Sequence, residues 1–180
     1  MRIVTRRLLL RPVVAGDGHA LHSQVYGQSD VMRWLPGGTP LSKERSEAIL
    51  AALDRHWDDH GYGVWAVTGR ADGAVVGQCG FRHIVELGET ELFYALGPGH
   101  WGKGYATEAA RAAIDWARFN TALQRIIAFT KAGHVTSEAV LRKCTFRSAG
   151  PVRVFGLRAV AWTCGLGQPA MRKRSELIRG

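Results

Sequence analysis

The segment His100–Ala109, read as HWGKGYATEA, limits the fold of this 180-residue chain more than any other. Before it, residues 89–96 form an alternating segment typical of a strand. After it, apolar residues between positions 106 and 117 repeat at helical spacing. Gly102 and Gly104 therefore lie where a strand is predicted to pass into a helix.

A glycine turn at the start of a helix is typical of an anion site. Glycine lets backbone N–H groups point outward with no side chain in the way. The helix that follows adds its own unpaired N–H groups and the positive end of its dipole. Together they suit phosphate or pyrophosphate. The alternative is a glycine-rich connection that binds no ligand.

The spacing of the glycines argues against two common phosphate loops. A Walker A loop needs lysine after its last glycine, and here Tyr105 follows Gly104. Counted from Gly102, the third glycine of a Rossmann turn would fall on Thr107. About 20 residues after Gly104, where a ribose-binding acid would stand, the chain has Gln124. Neither a nucleoside triphosphate nor a dinucleotide is favoured.

The sequence WGKGYA resembles the Q/R-x-x-G-x-G/A pyrophosphate loop of the GNAT superfamily of N-acetyltransferases. Trp101 takes the Q/R place, Gly104 the fixed glycine and Ala106 the final small residue. Further segments resemble, in order, the branch related to the ribosomal-protein N-terminal acetyltransferases. They are Thr5–Pro12, Val31–Leu35, Gly61–Val67, Val76–Phe81, Glu91–Leu96 and Arg125–Thr130. The resemblance extends over residues 5–165.

The resemblance implies an α/β (α+β) chain with the single-domain GNAT fold, a mixed and mostly antiparallel central sheet flanked by helices. We expect this domain over residues 1–168 and a basic C-terminal tail over residues 169–180. The order of strand and helix patterns agrees, since an all-helical or all-β domain would not produce it. There is no internal repeat or linker.

The predicted elements follow from periodicity and turn residues. Strands are predicted at Ile3–Leu10, Gly63–Thr68, Ala74–Arg82, from Glu89, at Arg125–Lys131 and in a hairpin over Val152–Cys164 that turns near Gly156. Four helices are predicted. The first begins at Asp17, its N-cap, and runs to Val25, and the second covers Ser42–His60. The third follows the glycine loop and ends near Asn120, and the fourth covers Ser137–Lys143. The second helix is expected to bury Ile49, Ala52, Leu53, His56 and Trp57.

Composition is that of an ordinary globular domain, with 46% hydrophobic and 22% charged residues. No apolar run approaches the roughly 18 residues that span a membrane. The N-terminal run of leucines ends at Arg11 and Pro12, so it is shorter than the about 7 apolar residues that a signal-peptide core needs. Three cysteines, an odd number without metal-site spacing, predict reduced thiols in a cytoplasmic protein.

The net charge of +9 suits either nucleic acid or a polyphosphate cofactor. Apart from Arg172–Arg174 the basic residues are spread out, and aromatic residues do not alternate with them. We therefore do not expect a nucleic-acid partner. His56 and His60 lie four apart on a predicted helix, but Trp57 stands where a zinc-protease helix has glutamate. No metal site is predicted.

The resemblance implies a site for acetyl-CoA as co-substrate. Pyrophosphate would bind the backbone of residues 102–107, and the pantetheine amides would pair with the strand before it. The implied cofactor-binding residues are Tyr94, Ala95, Leu96, Trp101, Gly102, Lys103, Gly104, Tyr105, Ala106, Thr107, His134 and Ser137. Lys103 would contact phosphate either through its side chain or only through its backbone N–H.

Direct acetyl transfer to an amine requires a proton to leave the ammonium and another to reach the thiolate. An α-amine of pKa about 8 is about 10% neutral at pH 7, so a single carboxylate acting through water is adequate. Glu91 is the candidate and Glu89 the second choice, unless both are exposed edge residues. Ser137 matches the serine of the family motif N-x-x-S. It would protonate the thiolate, or it would only cap the short helix.

Three departures from the family pattern lie in the C-terminal half. His134 replaces asparagine, Cys144-Thr145-Phe146 replaces Leu-Gly-Phe, and Lys131-Ala132-Gly133 differs from the usual His-Pro lead-in. The leading hypothesis is an N-acetyltransferase acting on a peptide N-terminus or on small amines such as polyamines or aminoglycosides. A CoA-binding protein without catalysis and a nucleic-acid-associated protein are the alternatives. A membrane partner is not expected, and a homodimer stays open.

Overall fold

An eight-stranded sheet organises residues 1–167, the part of the chain that the computed structural model describes. The spatial order is β1-β2-β3-β4-β5-β6-β8-β7, and every neighbouring pair is antiparallel except β5 with β6. The strands are β1 Ile3–Val4, β2 Leu8–Pro12, β3 Val64–Gly69, β4 Val75–Ile84, β5 Glu89–Leu96, β6 Arg125–Lys131, β7 Arg147–Val154 and β8 Leu157–Gly165. This is the predicted fold class, and the predicted basic tail lies outside the described residues.

Within residues 1–167, five α-helices flank the sheet. They are α1 Gly18–Leu21, α2 Ser29–Met32, α3 Lys43–His60, α4 Tyr105–Asn120 and α5 Val135–Lys143. Trp65 and Val67 of β3 belong to the core that includes α4 and α5, whereas Val64 and Ala66 belong to the core that includes α1 to α3. Because alternate residues of a strand point to opposite faces, helices cover both faces of the sheet. No described helix is long and apolar enough to cross a membrane.

The first predicted strand, Ile3–Leu10, is wrong as a continuous element. The chain breaks at residues 5–7, between β1 and β2. The Thr5 hydroxyl and the Arg7 backbone N–H donate to the Glu108 carboxylate at the start of α4, 2.7 and 2.8 Å away. These long-range bonds replace strand pairing at the break.

The helix predicted from Asp17 to Val25 lies within continuous helical turns from Ala15 to Tyr26 that include α1. Asp17 stands at the N-cap position of α1 but does not cap it. Its buried carboxylate instead accepts two hydrogen bonds from the Arg11 guanidinium, at 2.6 and 2.7 Å. Burial alone would raise the pKa of Asp17, but Arg11 and the Val14 N–H hold it below its ordinary value.

Helix α3 is confirmed, with Ser42 accepting a hydrogen bond from the Arg45 N–H and Gly61 ending the helix at φ 70°. The predicted apolar stripe is partly wrong. Ala52 is exposed, while Ser46 and Leu50 are buried. The helix is therefore rotated relative to the stripe, because Leu50 and Leu53 pack with the α1–α2 core.

The two central parallel strands meet at a single point. β5 pairs with β4 along its whole length, from Glu89 to Leu96. With β6, it pairs only at Glu91 with Ile127. Beyond that pair the strands diverge, so the β6-facing edge of residues 92–96 has no strand partner. This split in the sheet creates the space in which the predicted site lies.

Candidate functional site

A cavity of about 600 Å³ occupies the split between β5 and β6. Residues 91–96 of β5 and 128–131 of β6 form its two strand walls. The glycine loop, the first turns of α5, residues 31–36 and the β7–β8 hairpin complete its lining. The cavity thus brings together residues as far apart in the sequence as Val31 and Ala159.

The glycine loop has the geometry of an anion cradle. Gly102 and Gly104 have φ values of 71° and 77°, which favour glycine. Glu108 is the first residue of α4 whose N–H finds a helical acceptor, the carbonyl of Gly104. Within residues 1–167, no backbone carbonyl accepts from the N–H groups of residues 102–107. These groups are available to an anion at the helix N-terminus.

The loop is held in place by Arg7 and Glu108. Arg7 Nε lies 2.7 Å from Glu108 Oε2, and its guanidinium also donates to the carbonyl of Lys103 at 2.9 Å. Burial would raise the pKa of Glu108, but hydrogen bonds from Thr5 and Arg7 lower it. The sequence analysis included Arg7 in the segment Thr5–Pro12 but assigned no role to Glu108. An acidic residue in the first turn of a helix is a recognisable sign of a charge that stabilises the helix N-terminus.

All the predicted cofactor-binding residues line the cavity except Lys103. Lys103 is exposed, and its backbone N–H belongs to the glycine loop. The Trp101 indole N–H donates to the Leu96 carbonyl at 2.7 Å. This bond ties the loop to the end of β5, and it already uses one lone pair of a predicted pantetheine acceptor.

The sequence left open whether Glu91 is an exposed edge residue, and the structure shows that it is not. It lies on an interior strand, lines the cavity and is 5% exposed. Its Oε2 accepts from an Arg82 guanidinium nitrogen at 2.6 Å, while its Oε1 accepts no bond from the described residues. Glu89 is paired with Arg125 instead and does not line the cavity.

Ser137 does not cap α5. It is the third residue of that helix, and its hydroxyl lies 2.7 Å from the Tyr94 hydroxyl. The capping interpretation is therefore wrong, because His134 occupies the N-cap position. Burial raises the pKa of Tyr94 far above its ordinary value, so its side chain stays a neutral phenol. The sequence analysis placed Tyr94 on the pantetheine strand, and its contact with Ser137 is seen in the structure.

His134 stacks on Trp34, with ring centroids 4.0 Å apart and an interplanar angle of 17°. Lys131 Nζ donates to the Arg33 carbonyl at 2.7 Å, which adds a second tie between the same two segments. Burial and the Arg33 charge lower the pKa of His134, so the ring is neutral at pH 7. The departure from asparagine thus joins residues 33–34 to the start of α5 across the cavity.

The remaining candidates have structural partners. His56 Nδ1 donates to the Tyr62 carbonyl at 2.9 Å, and its Nε2 accepts from the His83 N–H at 2.8 Å. Among the described residues, no group of three or more His, Cys, Asp or Glu side chains is arranged to hold a metal ion. Cys79, Cys144 and Cys164 are free and buried, and burial raises the pKa of Cys144 to about 11.

Comparison with known proteins identifies the family. Residues 7–147 match the family described as acetyltransferase (GNAT) domain. The uncharacterized N-acetyltransferase p20 of Bacillus licheniformis is 39% identical over 154 residues, which cover 84% of this chain and 85% of the relative. The chain therefore belongs to the GNAT acetyltransferase family.

Solved structures share the fold. A GNAT-family acetyltransferase from Bacillus anthracis has a TM-score of 0.78 at 24% identity, covering 92% of this chain and 99% of that one. A ribosomal L7/L12 α-N-protein acetyltransferase in complex with coenzyme A has a TM-score of 0.79 at 17% identity, covering 92% and 98%. At these identities, the similarity establishes the architecture alone.

We predict that Gly104→Val abolishes acetyl-CoA binding. A β-branched side chain disfavours φ 77°, and its Cβ would come 3.4 Å from an Arg7 guanidinium nitrogen. Gly88→Val is the matched control, because Gly88 has φ 61°, has open space around it and lies off the cavity. Isothermal titration of both folded variants checks this. Unchanged affinity in Gly104→Val would show that the loop does not hold the pyrophosphate.

Proposed function

We propose that this protein transfers the acetyl group of acetyl-CoA directly to a primary amine, with no covalent enzyme intermediate. The main support for this proposal is that one cavity brings four features together. They are the unpaired edge of β5, the N–H groups of the glycine loop, the Glu91 carboxylate and the Tyr94–Ser137 hydroxyl pair. These are the groups needed to hold a pyrophosphate thioester and to move two protons.

The chemistry of the donor set suits acetyl-CoA. The N–H groups of residues 102–107 would hold the pyrophosphate at the positive end of α4. The free edge of residues 94–96 would pair with the pantetheine amides as a short added strand. When bound, acetyl-CoA supplies the activated acetyl group. The Arg7–Glu108 pair would keep the loop in its binding conformation.

Glu91 is proposed as the base that serves the amine. Because Arg82 occupies one carboxylate oxygen, the side chain is fixed and the other oxygen is left to accept a proton directly or through water. An acceptor with an α-amine would need little help, since about 10% of it is neutral at pH 7. A lysine-like amine near pKa 10.4 would need far more.

The hydroxyl pair is proposed to return the proton. Tyr94 can donate to the Ser137 carbonyl at 3.1 Å while Ser137 donates to Tyr94, or either hydroxyl can turn toward the thiolate. Because burial raises the pKa of Tyr94, the phenol keeps its proton and can donate it in a hydrogen bond. Ser137 is the first candidate to protonate the thiolate.

The acceptor is proposed to be a peptide N-terminal amine or a small amine. The first is supported by a fold neighbour that is a ribosomal L7/L12 α-N-protein acetyltransferase. The buried free thiols agree with a reducing compartment, so we place the protein in the cytoplasm.

Thiol release from acetyl-CoA, measured with peptides, polyamines and aminoglycosides, tests the proposal. Binding of acetyl-CoA without release on any amine would favour a catalytically inactive CoA-binding protein, and absence of binding would favour the nucleic-acid alternative.

We expect Glu91→Gln to slow turnover most at low pH, where the amine is largely protonated, and to recover as pH rises toward the amine pKa. The measurement is kcat/KM between about pH 6 and 9, a span that brackets the α-amine pKa. Glu89→Gln is the control, because Glu89 lies on the same strand but pairs with Arg125 outside the cavity. Parallel pH profiles for Glu91→Gln and the wild type would remove Glu91 from the mechanism.

Ser137→Ala should lower kcat by roughly 10²-fold with little change in melting temperature, because Ser137 does not cap its helix. Thr136→Ala removes the adjacent hydroxyl, which lies 3.1 Å from His134 Nδ1, and should leave kcat nearly unchanged. Tyr94→Phe and the double variant with Ser137→Ala complete a cycle that measures the coupling of the pair. Normal turnover in Ser137→Ala together with a loss in Tyr94→Phe would move the donor role to Tyr94.

A further inference from the structure

The tip of the β7–β8 hairpin has an unusual residue. Val154 pairs with Leu157, so Phe155 and Gly156 form a two-residue turn. Their φ values are 51° and 73°, and a turn of this kind prefers Asn-Gly or Asp-Gly. A large aromatic side chain rarely takes a positive φ, and such outliers often occur at functional sites. The unusual conformation therefore suggests that the Phe155 ring has a function at this position.

The Phe155 ring lies between two cavities. It lines the main cavity, where it meets Phe129 edge-on with centroids 6.0 Å apart. It also lines a second cavity of about 330 Å³ beside Pro36, Arg82, His83, Ile84 and Glu86. The ring is still 45% exposed, so the hairpin does not place it there mainly to bury it.

Arg82 connects the second cavity to the proposed chemistry. Its guanidinium lies 2.6 Å from Glu91 and stacks over Phe93 at 4.2 Å, and the residue lines both cavities. An amine held at Glu91 would therefore lie beside Arg82, which borders both cavities together with Phe155. The walls there are mostly apolar, with Pro36 and Ile84 in addition to the ring.

We propose that Phe155 is a specificity-determining residue that selects acceptors bearing a bulky apolar or aromatic group close to the reacting amine. The inference rests on the proposed amine acetylation. The second cavity is then the outer part of the acceptor site, and the Phe155 ring is the surface on which the apolar group packs.

The test compares 2-phenylethylamine with ethylamine, which differ by the phenyl group. In the wild type we expect kcat/KM to favour 2-phenylethylamine by about tenfold or more. Phe155→Asn creates the Asn-Gly pair that the turn prefers, so the protein should fold without strain. It should remove most of the preference by raising KM for 2-phenylethylamine, with little effect on ethylamine. Phe155→Tyr, which keeps the ring, should restore the preference.

Phe119→Asn is the matched control, since Phe119 is 72% exposed on α4 and lines neither cavity. A purely structural role for Phe155 would shift the melting temperature of Phe155→Asn and leave the preference at its wild-type value, which would overturn the inference. Saturation-transfer NMR of 2-phenylethylamine with the acetyl-CoA-free protein gives a readout without turnover. Loss of the signal in Phe155→Asn would support the inference even if no amine were acetylated, and equal signals would contradict it.

Discussion

The single pairing of Glu91 with Ile127 is the constraint on which the site depends. A fully paired parallel ladder between β5 and β6 would satisfy every backbone group of both strands and leave no cavity. Because pairing stops after one residue pair, the backbone groups on the β6-facing edge of residues 92–96 have no strand partner, although Trp101 donates to the Leu96 carbonyl. An extended ligand with amide groups can satisfy them in the way a neighbouring strand would.

Long-range ion pairs hold the segments around this split in place. The Arg7–Glu108 pair joins the N-terminal strands to the glycine loop, and the Arg11–Asp17 pair fixes the entry to α1. Both are charge-assisted and partly buried, which makes each bond stronger than a bond between neutral groups. The N-terminal segment Thr5–Pro12 therefore has a physical role at the glycine loop, although it lies about a hundred residues away in the sequence.

The departures in the C-terminal half change how the cavity is closed. With histidine at position 134, the N-cap residue of α5 contributes an aromatic ring that stacks on Trp34. Asparagine at that position would have no ring to stack. The contact, together with the bond from Lys131 to the Arg33 carbonyl, ties the two segments that border the mouth of the cavity. Lys131 and His134 therefore shape the cavity border, while the glycine loop keeps its positive φ values.

The amino-acid sequence by itself determined most of the elements and the glycine turn before α4, because both depend on local chemistry. Helical spacing predicted α3 and α4, and the two glycines predicted a turn whose φ values are indeed positive. Only the tertiary structure decided that Glu91 is buried against Arg82, that Ser137 meets Tyr94 and does not cap its helix, and that Glu108 holds the loop. Those outcomes depend on where β5 and β6 separate and on contacts between distant segments, neither of which local spacing encodes.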